Sequence, residues 1–245
     1  MPRFSVICAT LLRSSYAALI ASVRRQTFRD FEFIGRADSG PGVNEYVVRN
    51  RAARQAAGDW LVWVDDDSEL PSGYLARLSR TVSDRPNLVA VSGCLRGNFS
   101  GRGVETIDQS GWWIGACMAV RRDVFLERPF EESWGLGHIP KGWRADSDMG
   151  FSIEKRYPDG WTHDAGLIVE HPGAMGSSFQ PDVEAVFFQR WRSKIIDRFI
   201  SVDFRLQQFL LETQDLSPEE LAKVVNARRA MRKVVPKLPV LPQES

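Results

Sequence analysis

The residues best suited to chemistry are Asp65, Asp66 and Asp67, which stand together in the stretch GDWLVWVDDDSEL, residues 58–70. Three adjacent carboxylates repel one another, and they are tolerable in water or when a hard divalent cation neutralises them. The apolar run Trp60 to Val64 leads straight into them. Such a run has the character of a strand buried on both faces, as in a mostly parallel sheet. Open α/β sheets bind ligands at the carboxyl ends of their strands. The stretch therefore reads as a metal and nucleotide site. The plainer alternative is a solvated turn whose acids cap a helix over 71–82.

The elements before it must bring partners to the same edge. Phe4 to Ala9 reads as a strand, Thr10 to Ser15 as a polar loop, and Tyr16 to Arg25 as a helix with Leu19, Ile20 and Val23 on one face. Phe31 to Ile34 is a second strand and Gly35 to Gly42 a glycine-rich loop holding Asp38. Asn44 to Ala57 is a second helix, with Gly58 expected as its C-terminal cap. Strand, helix, strand, helix, strand is the order of a doubly wound sheet with right-handed crossovers. Its post-strand loops collect on one edge, so Thr10, Asp38 and Asp65 to Asp67 should converge there.

Beyond the acidic stretch, a third helix runs to Val82 and Leu88 to Ser92 forms a fourth strand. Gly93 to Gly111 reads as a hairpin or mobile loop, and Trp112 to Val120 is apolar with Gly115 and Ala116 in its middle. A short helix covers Arg121 to Leu126, and Glu127 to Arg144 is irregular. Loops of such length in compact domains are usually functional or disordered, and aromatic residues argue against disorder. Either of these two segments is expected to order over a bound nucleotide. Ala145 to Arg156 regains helical spacing, and Gly166 to Glu170 is a last strand stopped by His171-Pro172-Gly173. Residues 1–180 thus read as an α/β domain in two halves, 1–92 and 93–180. Residues 181–245 read as a helical extension with helices over 182–199, 202–212 and 218–235, then a proline-rich, extended tail.

Composition narrows the function. The 245 residues carry 32 lysines and arginines against 31 acids, so charge makes no case for a nucleic-acid partner. Cys8, Cys94 and Cys117 lie scattered in apolar surroundings without metal-ligand spacing, as reduced core residues would. No apolar run reaches membrane-spanning length, and the chain begins without the design of a signal peptide. A cytoplasmic enzyme is the expectation.

Several segments together resemble one family. FSVICATLLRSSYAALIASVRRQTFRDFEFI is similar to the opening strand, loop and helix of the inverting, metal-dependent glycosyltransferases of the GT-A fold, family 2. VRNRAARQAAGDWLVWVDDDSEL resembles that family's Arg-Asn helix followed by the strand with the Asp-x-Asp motif. GACMAVRRDVF, PFEESW and ADSDMGFSIEKRYPDGW look like its second half, and VEHPG like its strand-end histidine. The likeness covers Phe4 to Gly173. Two departures stand out: Ala37 precedes Asp38 where a second acid is usual, and Ala145 takes the place of a Glu in the late acidic motif. QRW at Gln189 to Trp191 is similar to a motif of processive synthases, but its spacing is wrong for that subgroup.

The resemblance implies roles. Asp67 and His171 would be metal ligands for Mn²⁺ or Mg²⁺, and Asp65 would face the ribose, with Asp66 beside it. Thr10, Arg13, Asp38 and Arg49 would hold the nucleotide sugar. Trp112 and Trp113 would stack on a sugar face, with Asp148 on the acceptor side. Asp146 would be the general base. For Asp66, Asp146 and Asp148 the alternative is helix capping; for the tryptophans it is core packing; for Arg13 and Arg49 it is a surface position. Arg228, Arg229, Arg232 and Lys233 would touch an anionic acceptor, a membrane surface or a second subunit, or form a solvated helix face. The implied activity is transfer of a sugar from a nucleoside-diphosphate donor, UDP by expectation, to a hydroxyl of a glycan, lipid-linked glycan, metabolite or protein. The competing readings are a non-catalytic sugar-nucleotide-binding protein of the same fold, and a nucleotidyltransferase. The latter needs a glycine-rich phosphate loop that TLLRSS does not provide.

Overall fold

A computed structural model describes residues 1–37, 44–98, 103–108, 113–132, 144–171, 181–200, 204–213 and 215–234. Seven strands form one mixed sheet flanked by helices. β1 (Phe4–Thr10) is followed by α1 (Tyr16–Arg24), β2 (Phe31–Ala37), α2 (Glu45–Gln55), β3 (Trp60–Asp65) and α3 (Tyr74–Asp84). β1 lies between β2 and β3 and is parallel to both. Phe4, Val6, Ile7 and Cys8 of β1 and Leu61 to Val64 of β3 are all fully buried, as expected of strands covered on both faces.

β4 (Ala90–Gly97), β5 (Glu105–Asp108), β6 (Met118–Arg121) and β7 (Trp161–Glu170) complete the sheet, with α4 (Arg122–Glu127) and α5 (Ala145–Arg156) between the last two. β6 runs antiparallel between β3 and β4. β5 pairs antiparallel with β4, so part of 93–111 is a hairpin arm; residues 99–102 and 109–112 lie outside the described residues. β7 pairs parallel with β4 and starts five residues earlier than its apolar pattern suggests. Its first half alternates partly buried polar residues, which conceal an edge strand from a hydrophobic reading.

Gly58 is not a helix cap. α2 ends at Gln55, with Ala56 extended. A Cβ at position 58 would stand 2.6 Å from the Ser5 nitrogen and 2.7 Å from the Phe4 carbonyl carbon. The glycine is there because the chain entering β3 passes against β1.

By its internal contacts the chain divides into Met1–Glu184 and Ala185–Ser245. α6 (Pro181–Phe199), α7 (Phe204–Thr213) and α8 (Pro218–Val234) are the later helices, and α6 kinks at Trp191. Within the second unit Arg192 holds Glu220 at 2.5 Å and Lys223 holds Asp197 at 3.0 Å. Val186 of α6 is 52% exposed. No helix of the described residues is long and apolar enough to cross a membrane.

Candidate active site

The three aspartates separate by direction, because successive side chains at a strand end point to opposite sides. Asp66 turns inward. Its Oδ2 accepts from the Thr10 hydroxyl at 3.0 Å and from the Leu11 backbone N–H at 3.0 Å. The Thr10 hydroxyl in turn accepts from the Leu12 N–H at 2.8 Å, and Leu12 adopts a left-handed φ of 57°. Asp66 and Thr10 therefore shape the loop after β1. Thr10 Oγ1 and Asp66 Oδ2 are engaged with the protein, where the resemblance implies a place beside the donor. Arg13 is half-exposed above this loop, 3.6 Å from Asp66 and 3.8 Å from Asp67.

Asp65 and Asp67 turn the other way and meet His171. His171 Nε2 lies 3.2 Å from Asp67 Oδ1 and 4.0 Å from Asp65 Oδ2. The approach is set by backbone pairing. Glu69, just past the aspartates, exchanges both backbone hydrogen bonds with Glu170 at the end of β7, at 2.8 and 3.0 Å. That bridge carries the next residue, His171, to the acidic turn. The hydrogen bond from His171 holds the Asp67 carboxyl below its usual range, against the opposing effect of burial. One ligand atom from each of Asp65, Asp67 and His171 falls within 4.8 Å of the others, a group able to hold a metal ion. Two carboxylates and one imidazole form a mixed oxygen and nitrogen donor set that suits a divalent ion such as Mn²⁺.

A second centre lies at the start of α5. Asp146 Oδ2 accepts from the Gly115 N–H at 2.7 Å and Oδ1 from the Ser147 N–H at 2.9 Å. Burial raises its pKa above the ordinary Asp value, in spite of these bonds and of the nearby Arg49 and Arg144. The side chain remains partly exposed, so lone pairs are left for a substrate hydroxyl.

Arg49 is neither a surface residue nor a free phosphate ligand. It is 2% exposed, and its Nη2 bonds Asp65 Oδ1 at 2.5 Å while Nη1 lies 3.6 Å from Glu45. Trp113 is core: it is 2% exposed, donates from Nε1 to Glu154 at 2.8 Å and packs on Trp161. It has no free face for a sugar. Asp148 is buried and paired with Arg128 at 3.2 Å. Asp38, Trp112, Arg232 and Lys233 have no described side-chain position, and His138 lies outside the described residues. Gly115 and Tyr46 lie at the site although no motif announces them. The signal for Gly115 is a glycine inside an apolar segment, which marks a close backbone approach.

A mostly parallel sheet with an Asp/Asp/His group at its carboxyl edge and a carboxylate on a neighbouring helix start is an arrangement of the GT-A type. The family description "Glycosyl transferase family 2" matches residues 45–133, which include α2, the aspartates and Phe130. That stretch of the chain resembles glycosyltransferase family 2. It is 28% identical over 137 residues to a Campylobacter jejuni GalNAc(5)-diNAcBac-PP-undecaprenol beta-1,3-glucosyltransferase, a match covering 43% of this chain and 44% of that one. The chain thus spans under half the length of that relative. In fold it resembles Staphylococcus aureus TarS 1–349 in complex with UDP-GlcNAc, with a TM-score of 0.57 at 16% identity over 96% of this chain and 82% of that fragment. It also resembles the Pyrobaculum calidifontis mannosyltransferase in complex with GDP-Man and Mn²⁺, with a TM-score of 0.54 at 14% identity over 97% of this chain and 77% of the other.

Proposed function

We propose that the protein transfers a sugar from a UDP-sugar to an acceptor hydroxyl with inversion, assisted by Mn²⁺ held by Asp65, Asp67 and His171. The observation that carries this reading is the convergence of those three side chains at the carboxyl edge of the sheet. When bound, the ion supplies Lewis acidity toward the leaving diphosphate. Arg13, beside Asp67, faces the same charge. The loop braced by Asp66 orients the nucleotide.

Asp146 removes the proton. As the acceptor oxygen attacks C1, its O–H bond breaks toward a free lone pair of Asp146 and the C1–O bond to the diphosphate breaks on the opposite face. The products are an inverted glycoside, UDP and a protonated carboxyl. Inversion needs one base and no covalent sugar–enzyme intermediate, by the same logic as inverting glycoside hydrolysis. A pKa raised by burial suits this role, since a base works best with a pKa near the operating pH. The relative's polyprenyl-diphosphate acceptor makes a lipid-linked glycan the acceptor class proposed here, and a cytoplasmic location goes with it.

Calorimetry of UDP-GlcNAc and UDP-glucose with and without Mn²⁺, followed by mass spectrometry against lipid-linked and free glycans, tests the reading. Metal-dependent donor binding with a mass gain of one sugar is expected. Donor binding unchanged by chelator together with the absence of transfer would overturn it.

A further inference from the structure

α2 lies in the first half of the α/β domain, yet its side chains hold the second half in place. Asn50 donates to the Phe130 carbonyl at 2.8 Å and to Glu132 at 2.9 Å, and accepts from the Phe130 N–H at 3.1 Å. Asn44 donates to the Glu132 carbonyl at 3.1 Å. Tyr46 is buried with its hydroxyl against the Ala145 N–H, at the helix start that carries Asp146.

Arg49, one turn further, bonds the first centre and passes beside the second. It bonds Asp65 at 2.5 Å. A Cβ at position 115 would stand 2.3 Å from Arg49 Nη1 and 3.6 Å from Asp146 Oδ2, so the guanidinium passes over Gly115 beside the base. Its Nε is buried without a partner, so the cation's polar contacts are concentrated at its two terminal nitrogens. Burial opposes the charge, but Glu45, Asp65, Tyr46 and Asp146 outweigh it and keep the cation fixed.

We infer that Arg49 is a positioning residue that sets Asp146 relative to Asp65 through one guanidinium, and that Gly115 is the aperture that admits it. The inference rests on the reading of Asp146 as the base. The guanidinium bonds Asp65 and passes over Gly115, whose N–H donates to Asp146, so one rigid cation spans the distance between the two carboxylates. A guanidinium is planar, permanently charged and forked, so it can engage two carboxylates at a fixed spacing; an ammonium is a point charge on a flexible stem. The spacing matters for rate because Asp65 belongs to the donor side and Asp146 to the acceptor side. A misplacement of about 1 Å costs roughly 100-fold.

The test uses the full chain with UDP-GlcNAc, Mn²⁺ and water as acceptor, measuring kcat and KM of donor hydrolysis and the melting temperature. Arg49→Lys keeps the charge and loses the fork. Gly115→Ala keeps Arg49 and displaces it. Each should lower kcat by about 100-fold while KM for UDP-GlcNAc shifts less than about threefold. The double variant should be no slower than the slower single one, since both act through the same group. Should Arg49→Lys fail to fold, Gly115→Ala carries the test alone. Wild-type kcat in folded Gly115→Ala, or full rescue by lysine, would overturn the assignment. So would equal losses in kcat and melting temperature that a remote core variant such as Val82→Ala reproduces. A wild-type protein that turns over no UDP-sugar would refute the reading of the site, and this inference with it. Wild-type turnover with unaltered variants would refute only the role of Arg49.

Discussion

Asp146→Asn separates a base from a helix-start residue, and the structure sets the size of each effect. Loss of a general base costs roughly two to four orders of magnitude in rate, which is about 3–5 kcal/mol of barrier. The folding effect is smaller. Asp146 accepts from Gly115 and Ser147 through different oxygens, and asparagine has one oxygen to offer. One backbone N–H therefore faces an amide NH₂, at a cost of about 1–3 kcal/mol. Against this, asparagine removes the burial penalty that raises the Asp146 pKa. The net change in stability should be about 1 kcal/mol, or roughly 2–4 °C in Tm for a chain of this size. The assay is transfer or donor hydrolysis at saturating UDP-sugar, with donor affinity by calorimetry and a melt on the same sample.

The pH dependence supplies a second readout. Because the folded state raises the Asp146 pKa, it favours the protonated form. Its contribution to stability is full below the ordinary Asp value and is lost as pH rises through the raised value. The wild type should lose stability across that window, and Asp146→Asn should not. In the same window the wild-type rate should rise, as the base ionises. A variant that keeps more than about a tenth of the wild-type rate, with the wild-type pH profile, would refute Asp146 as the base.

The other expected outcomes are more local. Asp67→Ala removes the partner of His171 and a metal ligand, so Mn²⁺-dependent UDP binding should fall at least about tenfold, read by calorimetry. Asp66→Ala leaves the Thr10 hydroxyl and Leu11 N–H without their acceptor, so a loss of about 3 kcal/mol and a drop of roughly 6–12 °C in Tm are expected. Trp113→Phe removes the bond to Glu154 and should lower stability by about 1–3 kcal/mol with unchanged donor affinity, which a sugar platform would not do.

The sheet and the acidic strand end were legible because they follow from local pattern and topology, whereas His171 came from the family resemblance and Asp65, expected toward the ribose, lies with Asp67 and His171. β1 and β3 are unbroken apolar runs, and parallel crossovers force their ends to one edge. Side-chain roles were less legible where two residue types share a chemistry but differ in direction. Arg49 and Arg13 read alike in sequence, yet one is buried at a carboxylate and the other half-exposed. The contrast between them depends on Gly115, 66 positions after Arg49, whose missing Cβ admits the guanidinium. Trp113 likewise looks suited to a sugar until Gly150 is placed beside it. A Cβ there would stand 1.8 Å from the indole, so the glycine and the tryptophan are complementary core surfaces. No period or short motif encodes such pairs.

The two departures from the family pattern can be weighed against this geometry. Ala145 is buried, and its N–H lies against Tyr46. A glutamate side chain at that position would bring another negative charge toward the Asp146 and Glu45 carboxylates already clustered around Arg49. Alanine keeps the local balance at one buried guanidinium for the acids nearest it. The missing acid is therefore compatible with a working base, and it places more of the task of fixing Asp146 on Arg49, Gly115 and Tyr46. Ala37 is different in kind. It closes β2 opposite Thr10, in register with the end of β1, so it stands beside the donor edge and away from the base. Under the proposed function, a change there would bear on which nucleotide is held, and a change at Ala145 on how fast the proton leaves.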